Sequence, residues 1–144
     1  MAVESKAEAT WSGDLMSGNG TVAPASGAFG QLPLTWARRA ESREGGTSPE
    51  ELIAAAHAAC FSMALSHGLA QSGHPAERLD SSASVGFQAG QGITGIQLSV
   101  RGRVPGLDEA GFRQAAEAAK ADCPVSKALS AVPIELTEVT LESS

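Results

Sequence analysis

Two cysteines, Cys60 and Cys123, are the residues of this chain whose type and placement point most directly to chemistry. Cys60 lies inside a long, alanine-rich apolar run, where burial raises the pKa of a thiol unless a cation is near. Cys123 comes just before Pro124, where a helix is expected to begin, and a helix start can lower the pKa of a thiol. Because the surroundings of the two thiols differ in this way, we expect the thiols to have different roles.

The two cysteines are too far apart in sequence to form a redox motif of neighbouring cysteines, which needs both thiols within one turn. If the fold brings their Cα atoms within roughly 7 Å, they can form a disulfide. One thiolate would then attack a peroxide oxygen, the other thiol would condense with the resulting sulfenic acid, and a reductant would restore both. The plainer alternative is that both are buried small hydrophobic residues.

His57 offers a different kind of chemistry, because it lies three residues before Cys60 on a neighbouring face of the same predicted helix. A Cys-His pair can serve acyl transfer. No orienting Asp or Asn can be assigned from the sequence, and a histidine in an alanine-rich helix is more often a core residue. The histidines and cysteines also lack the spacing of a zinc site, so no metal is expected.

Composition limits the class of protein and the partners that we expect. With 144 residues, 42% hydrophobic and 18% charged, the sequence predicts a single domain over residues 1–144. The net charge of -6 and the scattered Lys and Arg residues argue against a nucleic-acid partner. The amino end lacks a basic segment followed by a long apolar stretch, and polar residues interrupt the longest apolar run, so a cytoplasmic protein without a membrane partner is expected.

The strongest local signal is the start of a helix at Ser48-Pro49-Glu50-Glu51. Ser48 can cap the helix, Pro49 stands where no amide donor is needed, and Glu51 can complete a capping box. The pattern predicts a helix to about Gln71, with Gly73 as its stop. Its middle is apolar nearly all round, so we expect it to be buried on more than one side.

The other elements follow from alternating apolar residues, helical stripes and Gly- or Pro-rich breaks. Residues 24–47 are expected to form a long exposed connection with a strand near 32–36. The order of strands and helices indicates an α+β fold with antiparallel sheets. The remaining predicted elements are a hairpin of 8–11 and 21–23, strands 84–88 and 93–104, a helix from 107 to 122, a helical turn at 125–129 and a strand at 134–141.

The segment from Ser48 to Leu65, taken with Cys123-Pro124-Val125-Ser126-Lys127-Ala128-Leu129, closely resembles the OsmC/Ohr family of thiol-dependent hydroperoxide reductases. The resemblance extends through residues 9–14 and 18–21, so it covers essentially the whole chain and points to the OsmC branch. It implies an OsmC-like intertwined homodimer in which antiparallel sheets enclose long central helices.

The resemblance also implies roles for four residues. Cys60 would be the peroxidatic thiolate and Cys123 the resolving thiol, closing an intramolecular disulfide. Glu50 would orient a catalytic arginine, for which Arg39 is favoured and Arg38 is the reserve. The implied partners are an organic hydroperoxide, with hydrogen peroxide a weaker substrate, and a dithiol reductant such as a lipoyl or thioredoxin-like protein, and no cofactor is implied. The alternative is a small-molecule binding or redox-sensing dimer with poised cysteines.

Helix geometry adds a prediction about assembly. Glu50 and Cys60 stand ten positions apart on one helix, about 15 Å along its axis at 1.5 Å per residue. A Glu50-arginine pair that reaches Cys60 is therefore hard to build within one straight helix. We expect the 49–72 helices of two chains to pack side by side, with Glu50 and Arg39 of one chain completing the Cys60 site of the other.

Overall fold

The computed structural model describes residues 2–41 and 45–142. The chain divides into two compact units, Met1–Leu52 and Ile53–Ser144. Residues 42–44, part of the predicted long connection, lie outside the described residues.

The first unit contains a three-stranded antiparallel sheet with strand order β1-β2-β3. The predicted amino-terminal hairpin is confirmed, with Trp11 opposite Gly20 across the pair. Gly20 is required there because a Cβ atom would overlap the Thr10 carbonyl and the Trp11 ring. The strands are β1 (Ala7–Ser12), β2 (Asn19–Pro24) and β3 (Leu32–Leu34).

A short helix, α1 (Trp36–Ala40), follows β3 where the sequence predicted an exposed connection. Thr35 caps it, since its hydroxyl accepts from the Arg38 amide at 3.2 Å. The prediction of an irregular segment is wrong here, because the cap and the five helical residues form one ordered turn. This turn carries both candidate arginines.

The predicted long helix is confirmed as α2 (Pro49–Gln71). The Ser48 hydroxyl accepts from the Glu51 amide at 3.0 Å, and the Glu51 carboxylate accepts from the Thr47 hydroxyl at 2.6 Å. At the other end Gly73 has a φ of +86°, which favours glycine and ends the helix. Local capping therefore fixes both boundaries of α2.

The second unit contains a three-stranded sheet with strand order β4-β5-β6. The β4–β5 hairpin is antiparallel, whereas β5 and β6 are parallel. The expectation of antiparallel sheets is wrong for this pair, because two helices lie between β5 and β6 and bring the chain back in the same direction. The elements are β4 (Arg78–Gln88), β5 (Gly92–Arg103), α3 (Glu109–Asp122), α4 (Pro124–Ala128) and β6 (Ile134–Leu141).

The core of the second unit is one buried cluster built from α2, the sheet and α3. One face of α2 contributes Phe61, Leu65 and Leu69, all fully buried. Each such side chain stabilises the fold by about 1.5–3 kcal/mol through the removal of apolar surface from water. Phe112 of α3 lies against Gly102, where a Cβ atom would overlap the ring.

The opposite face of α2 is apolar but exposed in the protomer. Ala55, Ala56 and Ala59 are exposed, and Met63 is 73% exposed. The expectation that α2 is buried on more than one side is therefore not met within one chain. Among the described residues, α2 is also the helix long and apolar enough to cross a membrane by length and composition.

Candidate active site

The two thiols lie next to each other in the second unit. Cys60 projects from the middle of α2, Cys123 immediately precedes α4, and the two thiols lie close enough for each to shift the pKa of the other. Both cysteines are free thiols, with Cys123 fully buried and Cys60 half-buried. The fold thus brings together two thiols that are distant in sequence.

The start of α4 lies beside both sulfur atoms and affects the pKa of each thiol. Burial raises the pKa of Cys60, and the hydrogen bond to Cys123 raises it further, against a smaller lowering by the Val125 amide. Burial also opposes ionisation of Cys123, but the hydrogen bond from Cys60, the Ser126 amide and hydroxyl, and the Val125 amide together lower the pKa of Cys123.

Arg39 and Glu50 form a forked ion pair in the first unit. The Arg39 Nε atom donates to both Glu50 carboxylate oxygens at 3.1 and 3.2 Å, and Nη2 donates to Oε2 at 3.0 Å. The Glu50 side chain is 1% exposed, whereas that of Arg39 is 34% exposed. A buried carboxylate needs such a partner, so Glu50 fixes the plane of the guanidinium group.

Arg38, the reserve candidate, has a visible packing role. Its side chain lies against the backbone of Gly45 and Gly46, where a Cβ atom on Gly46 would overlap the Arg38 stem. The structure therefore places Arg39 on Glu50, as the sequence favoured. The catalytic roles of Arg39, Glu50, Cys60 and Cys123 stay predictions.

Ser126 is a residue of this site that the sequence analysis did not identify. Its hydroxyl lies 2.7 Å from His57 Nε2 and is one of the groups that lower the pKa of Cys123. His57 is fully buried, and burial lowers the pKa of its ring. Because Nε2 is taken by Ser126, His57 is not placed as the base of a Cys60-His57 acyl-transfer pair. The sequence offered one signal for Ser126, because this serine stands three residues after Cys123 on the same predicted helical turn.

Two apolar cavities adjoin these groups, one in each unit. The larger, about 920 Å³, lies between α2 and α3 and is lined by Cys60 together with Ala59, Met63 and Ala115. The smaller, about 240 Å³, adjoins Arg39 and is lined by Trp11, Leu34 and Trp36. An apolar cavity therefore lies beside Cys60 in the second unit, and another lies beside Arg39 in the first.

Over residues 2–41 and 45–142, no group of three or more His, Cys, Asp or Glu side chains is placed to hold a metal ion. The second unit brings together thiols and hydroxyls, and the first unit holds one forked ion pair. Their chemistry is that of a polarised thiol pair.

The model of a protein family described as OsmC-like protein matches residues 42–137. The chain is 44% identical over 145 residues to Peroxiredoxin OsmC of Escherichia coli (strain K12), covering 99% of this chain and 96% of that protein. This chain belongs to the OsmC family. It is also 41% identical over 86 residues to the organic hydroperoxide resistance protein of Xanthomonas axonopodis pv. citri (strain 306), covering 58% of this chain and 59% of that protein.

Solved structures confirm the OsmC fold. The crystal structure of an organic hydroperoxide resistance protein OsmC from Legionella pneumophila matches with a TM-score of 0.69 and 24% identity, covering 97% of this chain and 99% of that chain. An OsmC-like protein from Mycoplasma pneumoniae matches with a TM-score of 0.73 and 18% identity, covering 99% and 100% of the respective chains. The predicted family and its α+β fold class are thereby confirmed.

Proposed function

We propose that this OsmC-family protein is a thiol-dependent peroxidase that reduces organic hydroperoxides and, more weakly, hydrogen peroxide. The observation that carries the proposal is the proximity of two free thiols, Cys60 and Cys123, each of which shifts the pKa of the other at the start of α4. The names of its relatives, a peroxiredoxin and an organic hydroperoxide resistance protein, support the same type of enzyme.

The proposed reaction has two thiol steps. The Cys60 thiolate attacks the hydroperoxide oxygen, the O–O bond breaks, and the alkoxide leaves and takes up a proton as Cys60 becomes a sulfenic acid. Cys123 then attacks the Cys60 sulfur, the S–O bond breaks, and the hydroxide that leaves takes up a proton as the disulfide forms. A dithiol reductant, lipoyl or thioredoxin-like, restores both thiols by exchange.

The Arg39 guanidinium group, held by Glu50, would supply the positive charge that stabilises the Cys60 thiolate. Burial within its own chain raises the pKa of this thiol. A permanently charged guanidinium group is therefore a suitable source of thiolate stabilisation. The same fork can donate to the peroxide oxygen on which negative charge develops. Glu50, almost fully buried, would hold the fork in place for both tasks.

We also propose that the protein is an isologous homodimer of single OsmC-like domains, residues 1–144. The exposed apolar face of α2, with Ala55, Ala59 and Met63, is what a second α2 helix would cover. Antiparallel packing would place the Arg39-Glu50 pair of one chain beside Cys60 of the other. Within one chain, Glu50 on the first turn of α2 is too far along the helix from Cys60, ten residues later, for an arginine bound to Glu50 to reach the thiol. Antiparallel packing of two chains would remove this difficulty.

The cavity beside Arg39 supports an organic substrate. Its Trp11, Leu34 and Trp36 walls are apolar, and such a pocket favours the carbon substituent of an organic hydroperoxide. Hydrogen peroxide has no group to fill it and would react only through its O–O bond. A reducing cytoplasm, where free thiols persist, is the compartment that we propose.

Consumption of peroxide by the purified protein tests this function. With excess dihydrolipoamide, we expect catalytic loss of cumene hydroperoxide, and a value of kcat/KM about tenfold or more above that for hydrogen peroxide, because the apolar pocket contributes binding only to the former. Thioredoxin with its reductase, compared at equal dithiol concentration, identifies the reductant. No turnover with either reductant would contradict the proposal.

A further inference from the structure

A line of buried polar groups leads from α2 to Cys123. His57 is fully buried and its Nε2 atom lies 2.7 Å from the Ser126 hydroxyl. Ser126, itself 6% exposed, follows the fully buried Cys123 by three residues and lies close enough to lower the pKa of its thiol. The peroxidase reaction proposed above gives no role to His57 or Ser126.

Because the Ser126 hydroxyl has a single proton, it can donate only one hydrogen bond, and this determines which groups around it donate and which accept. If that proton is donated to Cys123, the Ser126 oxygen must accept from His57, so the ring proton has to be on Nε2. Burial keeps the ring neutral by lowering the pKa of His57. His57 Nδ1 has no hydrogen-bond partner in the described part of the chain. An unpartnered acceptor nitrogen is tolerated better in a protein interior than an unpartnered N–H donor, which favours the proton on Nε2.

We propose that His57 and Ser126 are positioning residues for Cys123, forming a relay in which His57 Nε2–H donates to Ser126 and Ser126 donates to Cys123. This inference rests on the proposed function and assigns the relay to its second step. A sulfur that accepts this hydrogen bond is held as a thiolate and aimed at Cys60. When Cys60 is a sulfenic acid, the thiolate forms the S–S bond, the S–O bond breaks, and the departing hydroxide takes up a proton.

Other ionisable groups around the relay come from three elements. Cys60 of α2 lies beside Cys123 and affects its pKa. Lys120 of α3 and Lys127 of α4 line a cavity of about 300 Å³ together with Ser126. Asp122 directly precedes Cys123 in the chain. In the titration below, all of them are present in every variant except Cys60, which is replaced in parent and variants alike. In the kinetic experiment Cys60 is present throughout, so in both experiments the differences between variants report on the relay.

Titration of the Cys123 thiolate by its absorbance near 240 nm tests the relay without any peroxide. Against a Cys60→Ser parent, we expect Ser126→Ala and His57→Leu each to lower the thiolate fraction of Cys123 at neutral pH by about tenfold, because a hydrogen bond to a charged group is lost or weakened. His57→Gln places an amide donor near the position of Nε2, so it should stay within about threefold of the parent. If Cys123 of Ser126→Ala and of His57→Leu ionises over the same pH range as Cys123 of the parent, the relay is overturned.

Single-turnover kinetics with both cysteines present provide the second readout. After one equivalent of cumene hydroperoxide, we expect Ser126→Ala to form the disulfide about tenfold more slowly than the wild type, so that sulfenic acid persists and is trapped by dimedone. Ser62→Ala is the matched control, because it removes a part-buried serine hydroxyl of α2 that bonds Ser81 at 2.7 Å instead. It should form the disulfide at the wild-type rate.

The outcomes of the two experiments are separable. Unchanged disulfide formation in Ser126→Ala would overturn the relay and leave the peroxidase intact. If the wild-type protein consumes no peroxide, the proposed function fails, and the 240 nm titration still decides whether His57 and Ser126 set the ionisation of Cys123. If His57→Leu does not fold, as judged by circular dichroism, the Ser126→Ala and His57→Gln titrations carry the decision.

Discussion

Replacing Cys60 by Ser is expected to lower the rate of hydroperoxide reduction by about a thousandfold or more, because a serine hydroxyl is not ionised at neutral pH and cannot act as the thiolate nucleophile. Cumene hydroperoxide consumption with excess dihydrolipoamide measures this directly. The substitution exchanges sulfur for oxygen at a half-buried position, so the protein should keep its fold by circular dichroism.

Cys123→Ser is the matched control for that experiment, since it makes the same exchange on the neighbouring sulfur. We expect this variant to consume one equivalent of hydroperoxide and then to stop or slow, with a sulfenic acid on Cys60 that dimedone traps. The two variants therefore separate the attacking thiol from the resolving thiol. Full steady-state activity in Cys60→Ser, or a burst that survives in Cys60→Ser but not in Cys123→Ser, would contradict the assigned roles.

Arg39→Lys is expected to slow the reaction of Cys60 with hydroperoxide by about a hundredfold, although the charge is kept. The loss follows because an ammonium group cannot donate both forked bonds to Glu50, which measure 3.0 to 3.2 Å from the guanidinium nitrogens, and cannot stabilise the thiolate and the peroxide oxygen together. The rate of the first turnover, followed by stopped-flow, is the quantity to measure.

Arg38→Lys is the matched control, because it makes the same substitution on the adjacent residue of α1. It should react at a rate within about threefold of the wild type, because the guanidinium group that Glu50 holds is that of Arg39. A larger loss in Arg38→Lys than in Arg39→Lys would transfer the proposed role to Arg38.

Mixing two inactive variants tests whether the site is shared between chains. After subunit exchange, a dimer of Cys60→Ser and Arg39→Ala chains holds one site with both Cys60 and Arg39, so about a quarter of the wild-type activity should return from an equal mixture. A site contained within one chain gives no recovery. Light scattering at micromolar concentration should show the dimer in both variants, which excludes loss of assembly as the cause of inactivity.

Local sequence patterns predicted the elements that carry the thiols. The cap at Ser48, the proline after it and Gly73 fixed α2 almost to the residue, because these signals act through neighbouring backbone groups. The helix α1 was not found, since five residues between Gly- and Pro-rich stretches are too few to show a helical period. Its cap, Thr35, was the available signal.

Tertiary features were harder to predict. The alternation in β6 indicates a strand but contains no information on its direction, and only the crossover through α3 and α4 makes it parallel to β5. Ser126 was overlooked because a serine on a short helix usually faces water, and its burial on His57 depends on how α4 packs. The resemblance to the OsmC family paired Cys60 with Cys123, which no local pattern could do.

The mass of the intact protein after one equivalent of cumene hydroperoxide tests the central claim most directly. The reduced wild-type protein should lose two hydrogens within one turnover, and peptide mapping without reduction should show Cys60 joined to Cys123. Cys123→Ser should instead gain one oxygen. An unchanged mass of the wild-type protein would contradict the peroxidase mechanism and favour a binding or redox-sensing dimer whose thiols are poised but do not turn over.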